Sequence, residues 1–290
     1  MSRTDRRVET VDGALLRGWP LPAPGDSKRS RGQLVVIGGA RRSPGAALLA
    51  GRAALRVGAG RLTLGIGASA ATASAVAFPE SGVVPLAENR AGSVLARSLP
   101  GLAADVREAD AVLLGPGLDD IGECAGMLRR LPRLLRRDAV LVLDAYALAA
   151  VAGRPRLLRG TRGILTPNPI EAEHLLGHPI DDPADAALRI ARRYDAVVSC
   201  QGAVAGPDGR VLRIPDGGPV LGTSGSGDAL AGAIAGLAAR GCTPLQAATW
   251  GTYLHGAAGD TLAREIAPLG VLAGEIADRL AAELAAVEAG

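Results

Sequence analysis

Between Gly222 and Gly232 the chain reads GTSGSGDALAG, three glycines and three hydroxyl residues running straight into an apolar helix with Asp228 at the junction. Glycine lets the backbone come close to a ligand, and Thr223, Ser224 and Ser226 add hydroxyl groups. The first N–H groups of a helix have no acceptor inside it, so they make an anion site facing such a loop. A carboxylate beside an anion site suits a general base that takes a proton from a substrate hydroxyl. Asp in a helix's first turn is also favoured by the dipole alone. The surrounding pattern, with Gly232 and Gly236 continuing a small helix face, favours chemistry.

Other polar residues follow apolar runs. Gly38 to Ala46 reads GGARRSPGA, Pro116 to Asp120 reads PGLDD, Asp144 follows LVL, and Thr166 to Pro169 reads TPNP. Gln201-Gly202-Ala203 follows a further apolar run. Each segment by itself is an ordinary turn former. Asp144 is either a turn residue or an acid that helps hold Mg²⁺. Asn168 caps the following helix or contacts a ligand, and Glu171 sits in that helix's first turn. His174 and His178 are four apart, but Gly177 and Pro179 interrupt the helix face they would need, so no metal site is assigned. His255 lies among small residues and reads as a buried, hydrogen-bonded histidine. No Ser/His/Asp triad or Cys/His pair has persuasive spacing.

The elements that must position these residues alternate. Strands are expected at 33–38, 61–66, 83–86, 109–115, 139–143, 163–165 and 196–200. Helices are expected at 45–57, 68–77, 121–135, 170–176, 184–193, 245–262 and 269–280, and from Asp228 onward the chain is almost all helical. Pro207-Asp208-Gly209 marks a hairpin. Near-continuous apolar strands alternating with helices predict an α/β fold, a mostly parallel central sheet with helices on both faces. Ligands bind such sheets at the carboxyl ends of the strands, where the segments above converge. Residues 1–31 are polar and proline-bearing and read as an N-terminal arm; residues 32–290 read as a single domain.

Composition narrows the class. With 48% hydrophobic but only 2% aromatic residues, the core must be built from Ala, Val, Leu and Ile. The net charge of +3 comes from scattered arginines, and the basic run 129–137 has no aromatic residue for base stacking, so nucleic acid is not an expected partner. Lys28 is the only lysine, so a phosphate clamp must use Arg, backbone N–H groups or a metal ion. Three well-separated cysteines imply no disulfide framework. No apolar h-region opens the sequence and no run is long enough to span a bilayer, which leads us to expect a cytoplasmic protein with no membrane partner.

Together the segments VVIGGARRSPGAALLAGRAALRVGAGRLTLG, LLGPGL, LVLDAYAL, ILTPNPIEAEHLLG, GTSGSGDALAGAIAGLAARG and WGTYLHGAAGD resemble the ADP-dependent NAD(P)H-hydrate dehydratases of the ribokinase-like fold, over roughly residues 14–285. The resemblance implies nucleotide-driven removal of water from a hydrated nicotinamide ring. Phosphoryl transfer to the ring hydroxyl is followed by loss of phosphate. It makes Asp228 the base. It places Ala46, Gly117, Asn168 and Asp228 against the NAD(P)H hydrate, and Gln201, Gly202, Ala203 and Gly227 against the adenine nucleotide. The N–H groups of Gly225, Ser226 and Gly227 would hold the transferring phosphoryl group. It also implies ADP (or ATP) as co-substrate, Mg²⁺, and a homotetramer. Three residues depart from the family pattern. Asn168 replaces a common histidine, keeping a polar group that cannot carry a proton. Ile170 replaces a glycine, and Gln201 a lysine, for which Arg41, Arg42 or Arg213 could compensate. Two further functions fit the GTSGSGD loop: a ribokinase-like kinase of a vitamin-precursor alcohol, and a nucleotide-binding protein that has lost catalysis.

Overall fold

The apolar runs become the strands of one twisted sheet in the computed structural model, which describes residues 8–215 and 217–290. In chain order the elements are β1 (Val8–Thr10), α1 (Gly13–Arg17), β2 (Gln33–Ile37), α2 (Pro44–Arg56), β3 (Arg61–Gly67), α3 (Ala68–Ala77), β4 (Gly82–Leu86), α4 (Ala103–Glu108) and β5 (Ala111–Leu114). Next come α5 (Ile121–Leu128), β6 (Val140–Leu143), α6 (Tyr146–Val151), β7 (Arg162–Leu165), α7 (Pro169–Leu176), α8 (Pro183–Tyr194) and β8 (Ala196–Cys200). The chain closes with β9 (Ala203–Ala205), β10 (Val211–Arg213), α9 (Ser226–Ala239), α10 (Pro244–Glu265) and α11 (Ala273–Ala289). Among the described residues the sheet has ten strands in the order β1-β10-β9-β8-β7-β6-β5-β2-β3-β4. The seven from β8 to β4 run parallel, and β9 is antiparallel to both β8 and β10. This is the mostly parallel α/β sheet that the alternation predicts.

Strand periodicity sorts the core into two layers. In β2, Leu34 and Val36 face one layer while Val35 and Ile37 face the other, because successive side chains point to opposite faces. The first layer is covered by α2, α9, α10 and α11, the second by α4 to α8. With few aromatics available, close packing comes from small residues. A Cβ on Gly232 of α9 would lie 2.1 Å from the Ala50 carbonyl oxygen of α2, so only glycine allows these helices to touch there. Trp250 and Tyr194 are the bulkiest buried side chains, and each spends its polar atom on backbone: Trp250 Nε1 donates to Trp19 O at 3.1 Å and Tyr194 Oη to Leu175 O at 3.0 Å.

Several boundaries differ from expectation. The helix expected over 121–135 stops at Leu128 and gives way to a short 3₁₀ turn at Leu131–Arg133. Pro132 has no N–H to continue the ladder. The last helix begins at Ala273 rather than Leu269, after Pro268 and Gly270, the latter at φ +95°. In the segment read as an arm, residues 1–7 lie outside the described residues. The described remainder contributes β1 to the sheet and buries Val11 and Leu16 in the first core layer. Alternating hydrophobicity is too brief there to announce a three-residue strand.

Candidate active site at the carboxyl edge of the sheet

Parallel strands deliver their following loops to the same edge, and the structure gathers the candidate segments there. The loop after β2 is stitched to the loop after β5: Gly39 N–H donates to Pro116 O at 2.8 Å and Ala40 N–H to Gly117 O at 2.9 Å. Gly117 sits at φ +71°, and a Cβ there would be 2.2 Å from Ser43 O and 3.0 Å from the Ala46 methyl. Ala46 and Gly117 therefore lie side by side at the start of α2. Ser43 precedes α2 without a side-chain cap, and Pro44 takes its first turn.

The end of β6 places Asp144. Its carboxylate is buried and accepts from Thr166 Oγ1 at 2.8 Å, while Thr166 N–H donates to Leu143 O. The next residue, Ala145, adopts φ +49° and ψ −121°. An L-residue rarely takes that conformation, at a cost of order 1–3 kcal/mol. The turn directs the Ala145 N–H onto the Asp144 carboxylate. Burial raises the Asp144 pKa well above the usual range, and Asp228 and Glu171 add like-charge repulsion.

After β7, Asn168 makes a capping box with Glu171. Asn168 Oδ1 accepts from Glu171 N–H at 2.9 Å, and Glu171 Oε2 accepts from Asn168 N–H at 2.9 Å. The cap uses the amide oxygen and leaves the NH₂ group of this exposed residue for another partner. Burial raises the Glu171 pKa. His178 lies beyond the end of α7, which terminates at Gly177 in the left-handed conformation, so the histidine pair does not share a helix face.

Beyond β8, Gln201 (φ +46°) and Gly202 (φ +74°) form a two-residue turn into β9, the conformation of a type I′ hairpin. Gly202 O accepts from Ile214 N–H at 2.7 Å. Ala203 is buried as the first residue of β9.

The GTSGSGD loop supplies the remaining wall. Gly225 precedes α9 at φ +87°, and the first α9 ladder bond runs from Ala229 N–H to Gly225 O at 3.1 Å. The N–H groups of Gly227 and Asp228 therefore have no acceptor within the helix. Nothing lies within 4 Å of a Cβ built on Gly227, so open space faces the helix start. Asp228 is half-buried, and among the described residues none donates a hydrogen bond to its carboxylate. Burial raises its pKa to about 6. Ser226 points inward: its hydroxyl and carbonyl oxygens both lie 3.0 Å from His255 Nε2. Burial lowers the His255 pKa to about 4, so this histidine is a neutral strut under the loop.

Sequence reasoning overlooked Asp260, whose carboxylate accepts from Gly217 and Gly218 N–H, both at 3.2 Å, and anchors the chain leading into GTSGSGD. A lone acid ending the small-residue face of α10 was the available signal. Glu88 was also overlooked: it accepts from Ser69 N–H and Oγ, both at 2.9 Å, and pairs with Arg41 at 3.8 Å. Arg213 is likewise paired, with Asp182 at 3.2 Å. Of the three arginines that could replace the missing lysine, Arg42 alone has no ion pair among the described residues.

A family model described as NAD(P)H-hydrate dehydratase matches residues 34–282, spanning both core layers and every loop of this edge. The chain belongs to the NAD(P)H-hydrate dehydratase family. It is 45% identical over 283 residues to the ADP-dependent (S)-NAD(P)H-hydrate dehydratase of Xanthomonas campestris, covering 94% of this chain and 95% of that protein. It is also 38% identical to the bifunctional NAD(P)H-hydrate repair enzyme Nnr of Moorella thermoacetica, covering 86% of this chain and 48% of that one. The chain thus spans about half the length of this bifunctional relative. The crystal structure of the ADP/ATP-dependent dehydratase of Bacillus subtilis, co-crystallised with ATP and Mg²⁺, superimposes with a TM-score of 0.82 at 27% identity. That match covers 98% of this chain and all of the other. The ribokinase-like expectation for the dehydratase fold agrees with these neighbours.

Proposed function

We propose that this chain restores NADH or NADPH from its (S)-hydrate at the expense of ADP. The observation that carries the reading is Asp228: a half-buried carboxylate at the start of α9, with no hydrogen-bond donor among the described residues, next to Gly227, whose Cβ position is open. Its pKa of about 6 leaves it ionised at neutral pH and basic enough to accept a proton. Asp228 takes the proton of the ring hydroxyl as that oxygen attacks the terminal phosphorus of ADP, releasing AMP. The ring nitrogen's lone pair then expels the phosphate ester as inorganic phosphate, and loss of a proton from the adjacent ring carbon of the resulting iminium regenerates the reduced ring. The Gly225–Gly227 segment cradles the transferring group with the N–H groups of Gly225 and Gly227, while the Ser226 N–H donates to Thr223 O at 3.2 Å and shapes the loop.

Ala46 and Gly117 form the small-residue floor on which the hydrate lies, and the NH₂ group of Asn168 orients it. Gln201, Gly202 and Ala203 receive the adenine nucleotide. The B. subtilis relative's ATP/Mg²⁺ complex supports nucleotide use with Mg²⁺. The buried Asp144 carboxyl, with the half-buried Glu171 carboxylate adding like-charge repulsion, suits a hard cation with oxygen ligands. Among the described residues no three His, Cys, Asp or Glu side chains form a ready metal cage, which suits an ion that arrives on the nucleotide phosphates. Bound there, Mg²⁺ would neutralise phosphate charge. Residues 32–290 act as one domain in this reading. The protein works in the cytoplasm, consistent with three buried free cysteines, and assembles as a homotetramer, which rests on family resemblance alone. No helix among the described residues is long and apolar enough to cross a membrane.

The test is recovery of reduced-nicotinamide absorbance from purified NADH hydrate with Mg²⁺ and either ADP or ATP. Nucleotide-dependent recovery is expected. A folded protein that restores nothing with either donor would sink the dehydratase reading and favour the alcohol-kinase or binding-protein alternatives.

A further inference from the structure

We propose that residues 8–20 form a strap that positions the Gln201–Gly202 turn for the adenine nucleotide, with Val11, Glu9, Trp19 and Arg210 as its positioning residues. The proposal rests on the reading that this turn contacts the nucleotide.

The turn has little support of its own. It joins β8 to the three-residue strand β9, and β9 pairs with another three-residue strand, β10. Such short strands hold a position only when both sides are paired. The far side of β10 is paired by β1, with Val8, Glu9 and Thr10 opposite Val211, Leu212 and Arg213. Val11 N–H extends the ladder to Arg213 O at 2.8 Å. The next residue, Ile214, donates its N–H to Gly202 O at 2.7 Å. A backbone path thus runs from the strap through Arg213 and Ile214 to the turn. The carbonyl of Ile214 also stands 2.7 Å from where a Gly202 Cβ would be, so a shift of β10 moves the turn with it.

The strap itself is fastened at three points. Asp12 caps α1 by accepting from Leu15 N–H at 2.8 Å, which folds the chain back so that Leu16 is buried. Trp19 O accepts from Trp250 Nε1 at 3.1 Å and from Gln246 Nε2 at 3.2 Å, and Pro20 O accepts from Gln246 Nε2 at 2.8 Å, tying the strap to α10. Arg210, just before β10, bridges Glu9 at 3.0 Å and lies 5.1 Å over the Trp19 ring. None of these residues belongs to the carboxyl-edge loops that would hold the hydrate, so loosening the strap should affect one substrate and spare the other.

The experiment compares Val11→Pro, Glu9→Ala and Arg210→Ala with the unmodified full chain, reading ADP affinity by calorimetry and steady-state constants for both substrates. Val11→Pro removes the N–H that reaches Arg213 O. It should raise the ADP Kd and KM about tenfold, with the hydrate KM and the kcat at saturating ADP within twofold. Glu9→Ala and Arg210→Ala, both at the surface, should raise the ADP KM two- to threefold, and they carry the test if Val11→Pro does not fold. A lowered Tm with unchanged ADP affinity in all folded variants would make the strap purely structural and overturn the proposal. Gly202→Val in the intact strap separates the premise. If it leaves ADP affinity unchanged, the turn is not a nucleotide contact, and the strap's role falls with that reading rather than by itself.

Discussion

Asp228 and Asp144 are the same side chain on the same edge of one sheet, and the fold treats them in opposite ways. Asp144 closes β6, is buried, and accepts from Thr166 Oγ1, yet burial still holds its pKa well above the usual carboxylate range. Asp228 stands at the start of α9, half-buried, with no donor on its oxygens among the described residues. Burial raises both pKa values, but of the two only Asp228 is without a hydrogen-bond donor among the described residues. A base needs a basic oxygen in reach of the substrate, which under the proposed function is the part given to Asp228. The difference shows how environment, rather than residue type, sets the chemistry open to two carboxylates.

The largest effect that would break this contrast is on turnover. Asp228→Asn should lower kcat by about 10²–10⁴-fold, the usual worth of a positioned general base, while ADP still binds. If Asp144→Asn were the more damaging substitution for kcat and Asp228→Asn nearly neutral, the roles would have to be exchanged. The pH profile sharpens the same point. With Asp228 titrating near 6, kcat/KM should fall about tenfold per pH unit below that value as the base becomes protonated. A profile flat down to pH 4.5 would remove Asp228 as the base.

A smaller effect tests the anion site at the α9 start. Gly227→Ala should weaken ADP binding about tenfold, because the methyl enters the space the phosphoryl group would use. The fold should not suffer, since nothing lies within 4 Å of that Cβ and alanine is the better helix former by roughly 0.5–1 kcal/mol. Calorimetry showing unchanged ADP affinity would move the anion site elsewhere. The smallest effect is on stability. The folded-state pKa of Asp144 is raised, so its protonated form is favoured by folding, and that contribution is lost as pH rises through the folded pKa. Asp144→Asn should therefore raise Tm at pH 8 by a few degrees, roughly 1 kcal/mol or more, and the gain should vanish below pH 4. An equal Tm gain at both pH values would show that the Asp144 charge is not what the substitution relieves.

Much of the candidate site was legible because its parts are local. GTSGSGD carries its own turn, helix start and acid within seven residues, and the rule that ligands sit at the carboxyl ends of parallel strands needs only the alternation of apolar runs. The capping box of Asn168 and Glu171 is likewise a short-range pattern. Asp260 and Glu88 were not legible, because each acts on a backbone segment 19 or more residues away. The short β1 was not legible either, since a three-residue strand has no periodicity to detect, and its pairing is decided by the open edge of β10.

The sequence by itself determined the class of fold, the alternation of its main strands and helices and the chemical types available at its edge, because periodicity, glycine placement and helix starts are set by neighbours in the chain. Tertiary structure decided the environment each of those groups would have. Only tertiary packing around the start of α9 half-buries Asp228, which has no hydrogen-bond donor among the described residues. Only the closure of β6 against β7 ties Asp144 to Thr166. Only the return of the N-terminal residues across β10 fixes the Gln201–Gly202 turn. Burial and hydrogen bonding depend on contacts between distant parts of the chain, and these set pKa and orientation.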